Sequence, residues 1–155
     1  MLFRSNNQLT DFSWFPSEGG MPAANRVEPG KRPRSSMSPT LVFDARGRLT
    51  HVLGSPGGNM IINYVARALV DLIDRNLDPQ AASAGANYGS RNRGLDLESG
   101  SSLEALVPAL RARGHEVRLG EETSGLHIIS IGERGGRRLL LGGADPRRDG
   151  VAAGD

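Results

Sequence analysis

Apolar residues occur along this chain in short groups that follow two different periods. Two β-rich runs, residues 40–43 and 49–53, flank the turn-like sequence Asp44–Gly47, and together they predict a β-hairpin. Between residues 59 and 75 the apolar positions recur every three or four residues. This spacing predicts a helix that is buried along one face.

The remainder of the chain predicts two more helices and three more strands. A short helix is expected to begin at Asp78, followed by Pro79 at its first position. Another is expected after Ser101, which forms a possible capping box with Glu104, and to end before Gly114. The predicted strands are 116–119, 126–131 and 138–141, the last two joined by a Gly-Gly turn. Because strands and helices come in separate groups, the predicted fold class is α+β.

Residues 13–39 show neither a helical nor a strand period. This segment is rich in Gly, Pro and Ser and predicts one long loop. A loop of that length inside a compact domain is usually functional or disordered.

Composition excludes several classes of protein. The 155 residues include 19 basic and 17 acidic side chains, no cysteine and only 5% aromatic residues. Without cysteine there is no disulfide or cysteine-ligated metal site, and nucleic-acid binding is disfavoured because basic and aromatic residues do not cluster. No apolar run is long enough to cross a membrane. The three histidines are too widely spaced to predict a metal site, so we expect neither metal nor cofactor.

Three short segments carry candidate chemistry. The sequence GSPGG, ending in Gly57 and Gly58, lies between a strand and a helix, where main-chain N–H groups can bind a phosphate, a carboxylate or a developing oxyanion. It lacks the Lys-Ser/Thr of a P-loop, and a plain tight turn is the alternative. In NNQLTDF, Gln8 and Asp11 offer an amide oxygen and a carboxylate to an ammonium group, or form only a polar turn.

The third segment, GKRPRSSMSPT, contains Ser35 and Ser36, whose hydroxyl and N–H groups suit a carboxylate. Two other interpretations stay open at this point, a basic localisation patch and a surface turn.

The chain carries four segments in this order: NNQLTDF, GKRPRSSMSPT, LGSPGG leading into NMIINYV, and GGADPRRDG. In this combination the chain resembles the small subunit of γ-glutamyltransferases, from about Phe3 to its C-terminus. The resemblance implies an N-terminal nucleophile hydrolase fold, a four-layer αββα sandwich. This chain would be a single incomplete domain over residues 1–155 that lacks the first strands of this fold. Residues 13–39 would form a substrate-site loop. It also implies γ-glutamyl transfer from glutathione-like donors to water, amino acids or peptides through an acyl-enzyme on an N-terminal threonine.

The same resemblance assigns roles to six residues. It implies that Gln8 and Asp11 hold the substrate α-ammonium group, that Ser35 and Ser36 hold its α-carboxylate, and that the N–H groups of Gly57 and Gly58 form the oxyanion hole. An ionised Asp11 favours a glutamyl donor over a glutaryl donor, which has no amine.

The resemblance also implies what lies outside these motifs. None of the threonines stands in the matching context of the nucleophile, so we expect the chain to be the C-terminal part of a small subunit and to be inactive by itself. Its partner would be the large subunit of the same precursor, and its location the periplasm or the exterior. With its sheet edges exposed, the isolated chain is expected to be poorly stable. A glutaryl or cephalosporin-type acylase and a non-catalytic ligand-binding fragment are the alternatives.

Overall fold

A computed structural model describes residues 10–92 and 94–154 and divides the chain into two compact units, Met1–Ser36 and Met37–Asp155. Gln8 lies outside the described residues. The interpretation of residues 1–155 as a single incomplete domain stays a prediction.

Residues 10–36 of the first unit are mostly irregular, as the composition of residues 13–39 predicts, but they contain a short hairpin. Strands β1 (Ser17–Glu18) and β2 (Met21–Pro22) pair antiparallel across Gly19 and Gly20. Both glycines have positive φ, 58° and 81°, which other residues rarely adopt, and this explains a two-residue turn here. The segment 13–39 therefore has a strand pair that its lack of periodicity did not predict.

The second unit is organised around a four-stranded antiparallel sheet with the order β3-β4-β8-β9. Its strands are β3 (Thr40–Phe43), β4 (Leu49–Gly54), β8 (His127–Arg134) and β9 (Arg137–Ala144). Both predicted hairpins are confirmed. The Gly135-Gly136 turn has φ values of 60° and 73°, which only glycine adopts at little cost.

The described residues of this unit form three α-helices: α1 (Ile61–Ile73), α2 (Pro79–Ala84) and α3 (Val107–Ala112). A 3₁₀ turn, Gly58–Met60, leads into α1. The predicted start of α2 is confirmed, because the Asp78 carboxylate accepts hydrogen bonds from the N–H groups of Gln80 and Ala81. Another 3₁₀ segment, Ser102–Leu106, precedes α3.

The apolar face of α1 covers one face of the four-stranded sheet. The core on this face also includes one residue of α2, and its members are the following: Leu53, Ile61, Val65, Ala68, Leu72, Ala82, Leu126 and Ile128. The opposite face of the sheet carries Leu41, Ile129 and Leu140, which are 57%, 45% and 60% exposed. The sheet thus has one covered and one open face.

A smaller sheet was not fully predicted. It consists of β5 (Tyr88–Ser90), β6 (Leu95–Glu98) and β7 (Val117–Gly120), with β6 and β7 parallel. It has its own core of Leu97, Val107 and Val117. Of the three strands only β7 was expected. Residues 82–94 show no clear period and predict an irregular stretch, which is wrong at the end of α2 and at β5.

Buried polar groups connect these elements. The Arg147 guanidinium binds both oxygens of Glu98 at 2.6 Å and Asp145 Oδ1 at 3.0 Å. Asp145 also accepts from the Ser124 hydroxyl at 2.5 Å, and Ser124 in turn accepts from the Asn87 amide. Burial opposes ionisation of Asp145, but these donors outweigh it and keep the pKa of its carboxyl below the usual value.

Candidate active site

The candidate site residues fall into the two units. Asp11, Ser35 and Ser36 belong to Met1–Ser36, and Gly57 and Gly58 belong to Met37–Asp155. Gln8 is outside the described residues.

In the first unit, the side chain of Asn25 joins the main chain of Asp11 to the residue that precedes the serine pair. Asn25 donates from Nδ2 to the Asp11 carbonyl oxygen at 2.6 Å, and its Oδ1 accepts from the Arg34 N–H at 2.9 Å. Arg34 directly precedes Ser35. Hydrogen bonds therefore connect the main chain of Asp11 to the segment that carries both serines, although 24 positions separate Asp11 from Ser35 in sequence.

The turn that carries Asn25 is itself held by several bonds. Arg26 and Lys31 donate to the carbonyl oxygens of Ala23 and Ala24, and both cations pair with Glu28. The hydrogen bond and charge of these cations lower the pKa of Glu28, with the Lys31 hydrogen bond contributing most. Lys31 thus has a structural partner inside the loop.

In the second unit, Gly57 and Gly58 form a sharp corner between β4 and α1. Their φ values are 136° and 55°, both unfavourable for residues with a Cβ. Neither main-chain N–H group donates a hydrogen bond to an acceptor in residues 10–92 or 94–154. Two neighbouring N–H donors without an acceptor among the described residues, on a glycine turn, suit the stabilisation of a developing oxyanion.

The aromatic ring of Tyr64 lies directly under this corner. A Cβ placed on Gly57 would be 2.5 Å from Tyr64 Cε2, whereas one placed on Gly58 would meet nothing within 4 Å. Tyr64 is 2% exposed and donates from its hydroxyl to Glu122 at 2.5 Å. Burial, followed by the bond to Glu122, raises the pKa of Tyr64, so the phenol stays protonated and continues to donate.

A second support reaches the corner from residues 123–125. The Ser55 hydroxyl accepts from the Gly125 N–H at 3.0 Å, and the Arg148 guanidinium binds the carbonyl oxygens of Thr123 and Ser124. Gly125 is closely packed, since a Cβ there would be 2.5 Å from Arg148 Cδ and 2.8 Å from Pro56 Cγ. The corner is therefore held from two sides.

Sequence reasoning did not identify Asn25, Tyr64, Glu122 or Gly125 as parts of the site. Each acts through a contact with the main chain or with a distant side chain, and no spacing pattern signals such contacts. Arg148 entered the sequence-based prediction only as a member of the segment GGADPRRDG, with no role of its own.

Residues 10–92 and 94–154 contain no group of three or more His, Asp or Glu side chains placed to hold a metal ion. No helix among these residues is long and apolar enough to span a membrane.

Comparison with known proteins gives consistent results. The family model described as gamma-glutamyltranspeptidase matches residues 3–155. The chain is 38% identical to the glutathione hydrolase proenzyme of Escherichia coli (strain K12), with 92% of this chain and 25% of that protein covered. It is 33% identical to the acylase ACY 1 proenzyme of Pseudomonas sp. (strain SE83), with 95% and 25% covered.

Among solved structures, the T380A mutant of Helicobacter pylori gamma-glutamyltranspeptidase superimposes with a TM-score of 0.79 at 28% identity, covering 92% of this chain and 80% of that chain. The chain spans 25% of the length of each of these two curated relatives.

Proposed function

The chain belongs to the γ-glutamyltranspeptidase family, and on that premise we propose that it supplies the donor-binding residues of an enzyme that transfers or hydrolyses γ-glutamyl groups. A nucleophile attacks the γ-carbonyl carbon, the amide C–N bond breaks, and the amine leaves with a proton. Water or the amine of an amino acid or peptide then attacks the acyl-enzyme and releases glutamate or a new γ-glutamyl amide. The α+β N-terminal nucleophile hydrolase fold of its structural neighbours is compatible with this chemistry.

Each site residue has one proposed task in this reaction. Asp11, together with Gln8, binds the α-ammonium group of the donor, and Ser35 and Ser36 bind its α-carboxylate. The observation that carries the proposal is the hydrogen-bonded connection from Asp11 to the residue before Ser35, because an amino-acid head group requires its two opposite charges to be bound at a fixed separation.

The glycine corner is proposed to stabilise the oxyanion. As the γ-carbonyl becomes tetrahedral, negative charge develops on its oxygen, and the N–H groups of Gly57 and Gly58 donate to it. Removal of one such donor typically lowers kcat by about 10² to 10³. The supports from Tyr64 and Ser55 keep both N–H groups in place before the charge appears, so little reorganisation is required.

The nucleophile is proposed to be the N-terminal threonine that the family uses, supplied by a part of the enzyme outside this sequence. None of the threonines present, at positions 10, 40, 50 and 123, stands in the matching context of the nucleophile. We propose that the chain acts beside the large subunit of the same precursor, outside the cytoplasm, and is inactive alone. The open sheet face with Leu41, Ile129 and Leu140 supports a partner, since an apolar face of this kind is usually covered.

The acylase function is a second candidate, favoured by the 33% identity to acylase ACY 1. The two functions differ in the group that Asp11 would meet. A glutamyl donor places an ammonium group there, whereas a glutaryl donor places a methylene, which leaves an ionised carboxylate without a partner.

A hybrid precursor tests the proposal. Residues 3–155 replace the stretch of the Escherichia coli proenzyme that they match, and the hybrid is assayed for self-cleavage and for p-nitroaniline release from γ-glutamyl and glutaryl anilides. We expect cleavage and a clear preference for the γ-glutamyl donor. A hybrid that prefers the glutaryl donor would establish the acylase alternative. One that releases no p-nitroaniline, cleaved or not, would overturn the proposed function.

A further inference from the structure

Asn25 is the polar side chain that joins the two halves of the proposed head-group site. It donates to the Asp11 carbonyl oxygen at 2.6 Å and accepts from the Arg34 N–H at 2.9 Å. Its own carbonyl oxygen accepts from the Ser13 N–H at 2.9 Å. Three bonds therefore fix this residue between the segment with Asp11 and the segment that leads into Ser35.

The amide group suits this position for a chemical reason. One partner is a carbonyl oxygen, which only accepts, and the other is an N–H, which only donates. A side chain that bridges them must carry a donor and an acceptor a short distance apart, as the amides of Asn and Gln do. The opposite orientation would place oxygen against oxygen and N–H against N–H, so the partners determine how the amide lies.

We propose that Asn25 is a positioning residue that sets the separation between the ammonium-binding and carboxylate-binding groups and thereby determines the selectivity for ligands with an α-amine. This inference rests on the proposed function. Charge-assisted hydrogen bonds lose strength when distance and angle change, so a carboxylate displaced from its place binds an ammonium group less well. A ligand without an amine depends on the serines and not on Asp11.

L-Glutamate and glutarate separate the two contributions. They share both carboxylates and differ in the α-amine, so the ratio of their inhibition constants reports how well Asp11 is aligned with the serines. The measurement uses the hybrid enzyme and γ-glutamyl anilide hydrolysis, with the variants Asn25→Ala and Asn25→Asp. Asn25→Asp keeps the acceptor for Arg34 and loses the donor to Asp11.

Glu28→Gln is the matched control. It weakens ion pairs in the same turn, but the ion-pair partners of Glu28 are Arg26 and Lys31, not Arg34, and Glu28 takes no part in the bonds from Asn25 to Asp11 and Arg34. We expect it to leave both inhibition constants unchanged. Asn25→Ala should raise the inhibition constant of L-glutamate and the KM of the donor about tenfold, with much smaller changes for glutarate and kcat. Asn25→Asp should change the ratio in the same direction.

The outcomes are distinguishable. Equal increases for both inhibitors, or none, would show that Asn25 does not govern selectivity and would overturn the inference while the proposed function stands. The inference also fails if both Asn25 variants do not mature although Glu28→Gln does, because the residue then serves folding. An inactive parent hybrid refutes the proposed function instead.

Discussion

Replacement of Gly57 by alanine should affect the enzyme far more than the same change at Gly58. A Cβ on Gly57 would lie 2.5 Å from Tyr64 Cε2, and the φ of 136° is strained for any L-residue. Strain of this kind costs about 1–3 kcal/mol, and relief of the overlap requires movement of a buried ring that is hydrogen-bonded to Glu122. At Gly58 the φ of 55° is a left-handed helical conformation with open space, which costs alanine about 1–2 kcal/mol.

These costs predict an order of activity. Gly57→Ala should displace the corner and lower kcat by about 10² to 10³, the effect of losing one oxyanion donor, whereas Gly58→Ala should lose about tenfold or less. The assay is γ-glutamyl anilide hydrolysis by the hybrid enzyme, with thermal melting in parallel. Gly47→Ala is the matched control, because Gly47 has a φ of 74°, open space around it and a place in the β3–β4 turn. It should be less stable with normal kcat.

A Gly57→Ala variant that retained kcat within a factor of about three of the parent would contradict this order. Equal losses of activity in Gly58→Ala and Gly57→Ala would also contradict it, because the ring of Tyr64 would then be irrelevant.

Three further predictions concern recognition and stability. Asp11→Asn should lower kcat/KM for a γ-glutamyl anilide about 10- to 150-fold, the loss of one charge-assisted bond, and undiminished activity would contradict its role. Arg147→Ala should reduce the free energy of unfolding in urea by about 3–5 kcal/mol, because Asp145 is 1% exposed and would keep an uncompensated charge. The exposed Arg118→Ala is its control and should leave the urea midpoint unchanged; equal midpoints for both would contradict the prediction. The free energy of unfolding should fall on acidification, since burial lowers the pKa of His51 and hydrogen bonds lower that of Asp145. The unfolded chain binds protons first, near about pH 6.5 for His51 and about pH 4 for Asp145, and a pH-independent urea midpoint would contradict this.

Local features of the fold were predictable from the sequence because local chemistry determines them. Asp78 caps α2 with its own side chain, and the Gly135-Gly136 turn has the conformation that joins β8 to β9. The strands β5 and β6 were missed for a physical reason. The strands β6 and β7 pair in parallel, and the chain between them contains α3. In β5, Gly89 interrupts the pattern of side chains because the Asn63 side chain occupies the space where a Cβ would lie.

The candidate site was predictable only through the resemblance, which carried Asp11, the serine pair and the glycine corner. Its supports were not, because they depend on folded geometry. Asn25 reaches Asp11 across 14 positions, and Tyr64 bonds to Glu122 across 58. Neither contact has a period or a motif that a single sequence can reveal.

The small sheet has a separate apolar core, and its polar connections to the rest of the second unit include those of Glu98 at the end of β6 and of Asn87 just before β5. Such a sheet can open while the larger one stays closed, because ion pairs and amides rehydrate at less cost than an apolar core does. Amide hydrogen exchange should therefore be faster in β6 than in β8. Arg147→Ala should accelerate exchange in β6 more than in β8.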